Sequence, residues 1–244
     1  MASFAARAGT PSGRAVAKPR VILFDAFPIF DPRSVKASVE QHARNAPSEL
    51  YELWRNRTFE YQWLHALSGT YVDFETCLAE ALDFAAATLK VELSSRERRD
   101  LVDAYSDLKT WDDVAEGLGA LTDASGAKIG FLSNMTERML RANLKRNGIS
   151  DRFDFVLSTD SVRTFKPDPH AYDLACTALK VAKSDALFVA FASWDVAGAK
   201  AFGFPTFWVN RAGARADFAV RADGEGSGFR DLVRFVQERN RAAA

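Results

Sequence analysis

The chain has 244 residues, 48% hydrophobic and 26% charged, with 32 basic and 32 acidic side chains cancelling to a formal net charge of zero. That length covers one to two ordinary domains, and the composition is that of a globular protein, which excludes disordered, collagenous and coiled-coil classes. No apolar run approaches the ~20 residues that span a bilayer, and beyond the basic first twenty residues the chain stands at −4, a poor match to nucleic acid, whose binding is driven by phosphate neutralisation.

Residues 1–19 read as an N-terminal tail. They carry Arg7, Arg14 and Lys18 without an acid and lack the apolar stretch of a secretory signal, so a cytoplasmic protein is expected. Residues 20–24 are a short, β-branched, continuously apolar run of the kind buried on both faces of a parallel sheet, and the run ends abruptly at Asp25. Some eighty residues with helical patterning follow. An aromatic-rich helix over 48–67 contains Trp54, Tyr61 and Trp63. In a second helix, Phe74, Cys77, Leu78, Ala81, Leu82, Ala85 and Leu89 recur at i, i+3, i+4 spacing behind Asp73 as cap. A third starts at Ser94 with Glu97 three residues on, a capping-box spacing, and buries Leu101, Ala104, Tyr105 and Leu108. A βα crossover does not need eighty helical residues, so 34–111 is predicted to be an inserted helical cap domain.

From residue 112 onward apolar runs at 129–132, 153–157, 187–191 and 206–209 alternate with helical patterns. Alternation of this kind gives a parallel sheet. The fold class is therefore α/β, a doubly wound parallel sheet with a Rossmann-like core formed by 20–33 and 112–244. The glycine-spaced segment 223–228 reads as a flexible loop before a terminal helix from about Phe229. Cys77 and Cys176 are far apart and read as small core residues, and His42, His65 and His170 have no zinc or Ser-His-Asp spacing and read as surface residues.

Ligands of open α/β sheets collect at the carboxyl ends of the strands. There the chain places Asp25 after the first strand, Ser133 and Asn134 after the second, Lys166 after the third, and Trp194 and Asp195 after the fourth. Singly, each has a bland reading: Asp25 a loop residue, Ser133 and Asp195 helix caps, Lys166 a solvated lysine. Four strand mouths carrying such groups together favour a site.

In these blocks the chain resembles the haloacid dehalogenase superfamily, and within it the type II 2-haloacid dehalogenases. The resemblance rests on Asp25, Ser133, Lys166 and Asp195 in order, and more narrowly on Leu53-Trp54-Arg55, the segment 60–64, Leu132-Ser133-Asn134, Phe165-Lys166-Pro167-Asp168 with Tyr172, and the segment 194–206. It spans about residues 20–240, and it implies that Asp25 displaces a halide from a short 2-haloalkanoic acid to give an aspartyl ester. It further implies that Lys166 keeps that carboxylate ionised and that Asp195 activates water for ester hydrolysis. Arg55, pointing at Asp25 from the cap, would hold the departing halide in an aromatic pocket with Trp194, beside Phe27. Ser133 and Asn134 would bind the substrate carboxylate or position the nucleophile, and Tyr172 would orient its neighbours. The resemblance implies no cofactor and suggests a homodimer; membrane and nucleic-acid partners are not expected.

Three side chains depart from the family pattern. Phe27-Pro28-Ile29 replaces a segment with a Thr, and Ala190 and Ala192 stand where Ser and Asn are usual, with Ser193 placed to compensate in part. Two other readings accordingly stay open on the residues alone. One is a degenerate, weakly active homologue that binds small carboxylic acids. The other is a magnesium-dependent phosphatase, although Phe27 takes the place of that group's second Asp and 190–193 offers no carboxylate for a hard cation.

Overall fold

The computed structural model describes residues 18–43, 45–217 and 220–243, so the tail expected over 1–19 lies outside the described residues apart from Lys18 and Pro19. Its strands are β1 (Val21–Phe24), β2 (Phe30–Asp31), β3 (Lys109–Thr110), β4 (Lys128–Ser133), β5 (Phe155–Ser158), β6 (Ala186–Ala190), β7 (Thr206–Val209) and β8 (Gly224–Gly226). Its helices are α1 (Arg33–His42), α2 (Pro47–Ser68), α3 (Phe74–Leu89), α4 (Ser95–Asp103), α5 (Val114–Ser125), α6 (Glu137–Arg146), α7 (Pro169–Leu179), α8 (Ser193–Phe202) and α9 (Phe229–Ala242).

Six strands form one parallel sheet in the order β5-β4-β1-β6-β7-β8. Successive residues of a strand face opposite sides, and β1 shows the consequence. Ile22 and Phe24 join a core that includes Val114 and Leu118 of α5, Met139 of α6 and Phe229 of α9. Val21 and Leu23 join a second core with Tyr172 and Ala175 of α7 and Val196 of α8. Helices therefore cover both faces, and the central strands read as uninterrupted apolar runs because neither face meets water. After β1 the chain returns to the sheet on one side at β4 and later on the other at β6, which opens a crevice beyond the end of β1.

Helices α1 to α4 lie between β2 and β3, two short strands that pair antiparallel with Phe30 opposite Thr110 and Asp31 opposite Lys109. This two-residue ribbon at the foot of the helices carries too little pattern to be read from sequence. Asp73 accepts from the Thr76 N–H at the start of α3, and Ser94 and Glu97 form the reciprocal capping box of α4. Trp54 is fully buried between α2 and α3, its indole N–H donating to the Leu78 carbonyl at 2.8 Å. Ala104 and Leu89, expected in the core, are only half-buried, because α4 ends at Asp103 and gives way to a 3-10 turn and Leu89 ends α3.

The expected flexible loop at 223–228 contains β8, which pairs in parallel with β7. A Cβ on Gly224 would lie 2.6 Å from the Phe235 ring, and one on Gly226 would lie 2.2 Å from the Asp231 Cβ. The glycines thus let α9 lie directly against an edge strand, a close approach that resembles loop composition when only the sequence is read. His42 and His65 are half-buried rather than on the surface, Nδ1 of each bonding a carbonyl, of Ser38 and Thr70 respectively, while His170 is exposed.

Candidate active site

Asp25 directly follows β1, and its backbone N–H donates to the Val189 carbonyl of β6 at 3.0 Å, which continues the sheet by one residue. Lys166, from the loop after β5, has no solvent exposure. Its ammonium donates to Asp25 Oδ1 at 2.9 Å and to Asp195 Oδ2 at 2.6 Å. The Tyr172 hydroxyl of α7 completes the chain of bonds by donating to Asp195 Oδ1 at 2.7 Å. Four of the nine residues singled out from sequence thus form one hydrogen-bonded cluster at the topological switch of the sheet. The bland readings of two of them fail: Lys166 is buried, and Asp195 sits inside the first turn of α8, whose cap position is Ala192, while Asp25 is a loop residue tied to the sheet by its N–H.

Burial and charge act in opposition here. Burial alone would lower the pKa of Lys166, but the Asp195 and Asp25 carboxylates outweigh it and the net shift is upward, so the ammonium stays protonated. Asp195 is pushed up to about 6, chiefly by burial and partly offset by Lys166. Burial, reinforced by the neighbouring Asp195 carboxylate, raises the Tyr172 hydroxyl well above its ordinary value, so it remains a donor. The cluster therefore holds one fixed cation, and Asp195 has a proton affinity near the value at which a carboxylate can take protons from water.

Asp25 also faces a cavity. Phe27, Ser133, Asn134, Arg55, Phe59, Phe191 and Trp194 line it with Asp25, as do Tyr51, Thr58 and Tyr105 from the inserted helical segment. Its volume is about 50 Å³, room for only a small molecule. The remaining five sequence-derived residues thus share a cavity with the Asp25 carboxylate. A wider cleft, bordered by Trp63, Trp208 and Arg211, adjoins it across Arg55, Phe59, Phe191 and Trp194.

Arg55 stands at the rim rather than over Asp25. Its side chain is 44% exposed and ion-paired with Glu52 at 3.6 Å, one helical turn away, with the guanidinium 6.0 Å from the centre of the Phe59 ring. Trp194 packs edge-on against Phe59 and Trp63 of α2. Ser193 does not stand in for the missing hydroxyls, because it begins the outward side of α8 and its hydroxyl bonds the Asp217 carboxylate. Phe27, Phe191 and Ala192 give that side of the cavity an apolar wall.

Asn134 is more committed than the sequence suggests. Its carbonyl oxygen accepts from the Lys166 N–H at 2.9 Å and from the Thr159 hydroxyl at 3.3 Å, while its amide donates to Gln62 Oε1 at 2.8 Å and to the Lys166 carbonyl at 3.4 Å. Trp63 donates to the same Lys166 carbonyl at 3.3 Å. The backbone of Lys166 is thereby tied to α2. Ser133 Oγ accepts from the Met135 N–H at 3.2 Å and shapes the turn after β4. Gln62, fully buried, belongs to the segment 60–64 that carries the resemblance but has no expected role; its polar side chain within an aromatic stripe is the signal for one.

The chain matches the haloacid dehalogenase-like hydrolase family over residues 20–203, three quarters of its length. It belongs to that family. It is 38% identical over 193 residues to an (S)-2-haloacid dehalogenase of Pseudomonas sp. (strain YL), covering 79% of this chain and 83% of that one. A crystallised L-2-haloacid dehalogenase superposes with a TM-score of 0.87 at 36% identity, over 91% of this chain and the whole of the other. The L-2-haloacid dehalogenase of Xanthobacter autotrophicus with chloropropionic acid covalently bound superposes with a TM-score of 0.83 at 32% identity, covering 90% and 98% of the two chains.

Proposed function

We propose that the chain hydrolyses short (S)-2-haloalkanoic acids to 2-hydroxy acids through an aspartyl ester on Asp25. The observation that carries this reading is the buried Asp25-Lys166-Asp195-Tyr172 cluster opening onto a small, largely apolar cavity. The (S) preference rests on the relatives' names alone. Residues 34–111 act as the cap that roofs the site, with 20–33 and 112–244 as the core.

In the first step an Asp25 carboxylate oxygen forms a bond to C2 as the carbon–halogen bond breaks, and the halide leaves with the electron pair, inverting that carbon. Lys166, bonded to Asp25 Oδ1 at 2.9 Å, holds the nucleophilic carboxylate in place. Arg55 at the rim supplies a positive charge for the halide, between the aromatic rings of Phe59 and Trp194. In a dry cleft such a fixed charge acts strongly on developing charge. The substrate carboxylate is received on the Ser133 and Asn134 side of the cavity. In the second step Asp195 takes a proton from water, which adds to the Asp25 carbonyl carbon. Collapse breaks the bond from that carbon to the substrate oxygen, which takes back the proton held by Asp195 and leaves as the 2-hydroxy acid, and loss of the added water's second proton to solvent restores the Asp25 carboxylate. Tyr172 holds Asp195 oriented for this step.

A metal ion between Asp25 and Asp195 would have to displace the Lys166 ammonium, which already bridges them. Among the described residues, no three His, Cys, Asp or Glu side chains converge to hold an ion. Two thiols that stay unpaired, Cys77 and Cys176, fit a reducing, cytoplasmic setting. The test is halide release from (S)-2-chloropropionate, with Asp25→Asn as control and with EDTA in a parallel sample. Release that Asp25→Asn abolishes and EDTA leaves unchanged is expected. Release of phosphate from p-nitrophenyl phosphate only with magnesium would instead assign the site to phosphoryl transfer.

A further inference from the structure

The loop that follows Asp25 runs Ala26-Phe27-Pro28-Ile29-Phe30 and contains no hydroxyl or amide side chain of its own. Nothing on the loop itself can therefore fix the carboxylate through a side-chain hydrogen bond. The one contact from loop to carboxylate is the Phe27 backbone N–H, which lies 3.4 Å from Asp25 Oδ2, at the long limit of a hydrogen bond and dependent on where the loop backbone is held.

That backbone is held from outside by two residues distant in sequence. The Trp111 indole N–H donates to the Phe27 carbonyl at 2.9 Å, and the Trp111 backbone N–H donates to the Ile29 carbonyl at 3.1 Å. The carbonyl between them, of Pro28, accepts from Arg211 Nη2 at 3.3 Å. Three successive loop carbonyls are thus bound by Trp111 and Arg211. Those two residues are themselves braced. The Arg211 guanidinium lies 4.5 Å from the centre of the Trp111 ring and is paired with Asp113 at 2.8 Å, while Asp113 also accepts from the Phe229 N–H at 2.9 Å at the start of α9. The Trp111 ring stacks on Phe191, which in turn contacts the Phe27 ring in the cavity wall.

We infer that Trp111 and Arg211 are positioning residues for the nucleophile: they fix the backbone of residues 27–29 so that the Phe27 N–H stays aimed at Asp25, in a loop that lacks side chains for the task. Neither touches the substrate cavity's reacting carboxylate, so both act through the loop. The inference rests on the reading of Asp25 as nucleophile only for its effect on turnover.

The test uses the full chain with Trp111→Phe, which keeps the ring and its stacking but removes the indole donor, and with Arg211→Gln. Loss of one or two hydrogen bonds to the loop corresponds to roughly a tenfold change. Halide release from (S)-2-chloropropionate is expected to fall about tenfold in kcat for Trp111→Phe, with KM within about twofold, because the chemistry loses alignment and the binding cavity stays. The second readout needs no turnover: amide hydrogen exchange of the segment 25–30 is expected to accelerate in each variant while β4 and β6 keep their protection. Unchanged exchange in that segment in both variants overturns the inference, as does a kcat that does not move. A wild type that releases no halide would overturn the proposed reaction, and the exchange measurement would still decide whether these two residues hold the loop. If Trp111→Phe fails to fold, Arg211→Gln carries both readouts.

Discussion

Replacing Lys166 by Met removes the only cation of the buried cluster while keeping most of the volume of its stem. The two ion pairs it makes, at 2.9 and 2.6 Å, are each worth about 6 kcal/mol in gross Coulomb energy at an effective dielectric of about 20. Much of that is offset by the several kcal/mol needed to bury each charge, so the measurable loss on deleting one partner of a buried pair is about 3–5 kcal/mol. The consequence depends on pH. Without the ammonium, the buried Asp195 carboxylate keeps the burial and the neighbouring Asp25 that raise its pKa and loses the cation that offsets them. A carboxyl group whose pKa is raised on folding contributes stability at low pH that is lost as the pH rises through the raised value. In the native protein this applies to Asp195, from the ordinary carboxylate range up to about 6; in the variant the window extends further upward. Urea unfolding of Lys166→Met should therefore show a deficit of about 3–5 kcal/mol at pH 8 and a clearly smaller one at pH 5. Halide release from (S)-2-chloropropionate should fall by about three orders of magnitude, the rate equivalent of about 4 kcal/mol. A deficit equal at the two pH values, or a rate within tenfold of wild type, would refute the assignment of Lys166 as the charge that holds both carboxylates.

Other expectations concern the second step. The water-activating form of Asp195 is the ionised one, so kcat should rise with pH through about 6 and then level, and a profile flat down to pH 4 would exclude Asp195 as base. Tyr172→Phe removes the 2.7 Å bond to Asp195 Oδ1, which stabilises the carboxylate, so the acid limb of that profile should move up by about one pH unit; no movement would leave Tyr172 a packing residue. A single turnover in heavy-oxygen water should give unlabelled 2-hydroxy acid, with the label found afterwards in Asp25 by peptide mass spectrometry, whereas label in the first product would disprove the ester. Gln62→Leu leaves the Asn134 amide short of a buried partner and should destabilise the protein by about 1–3 kcal/mol in urea unfolding, with a further loss in kcat if the tie from α2 to the Lys166 backbone matters to the reaction.

The parallel sheet was legible because its strands are buried on both faces and so appear as unbroken apolar runs ending in polar residues, at Asp25 and Ser133 above all. The cluster residues Asp25, Lys166 and Asp195 were legible only together: singly each fits a loop residue, a helix cap or a solvated lysine, and it is their placement at successive strand mouths, in the order of the family they resemble, that singles them out. What did not show was anything whose role depends on contacts remote in sequence. Asn134 and Gln62 are 72 positions apart, and neither has a local feature that announces the bond. Arg55 was legible as a motif residue, but its rim position and its pairing with Glu52 follow from packing of α2 that no spacing rule encodes. The 223–228 segment misled because glycine serves both loops and close approaches, and only the presence of Phe235 and Asp231 against it decides which.

The three polar side chains missing from the first motif, from the end of β6 and from the turn after it bear on the two halves of the reaction differently. Displacement of halide needs a charged, fixed nucleophile and a receptor for the leaving anion. Both are served by Lys166, Arg55 and the loop contacts from Trp111 and Arg211, none of which uses the lost positions. Hydrolysis of the ester instead needs a water held near the Asp25 carbonyl carbon, and the wall of Phe27, Phe191 and Ala192 offers that water no side-chain donor or acceptor. The polar side chains that do line the cavity include Ser133, Asn134 and Thr58, while Asp195 is bound to Lys166 and Tyr172. The second step is accordingly expected to be the slower one, so that an ester adduct on Asp25 accumulates during turnover. Intact mass measured within the first turnovers should show the chain heavier by the carboxyalkyl group that Asp25 has taken from the acid at C2. A chain that stays unmodified while halide is released steadily would place the slow step at displacement.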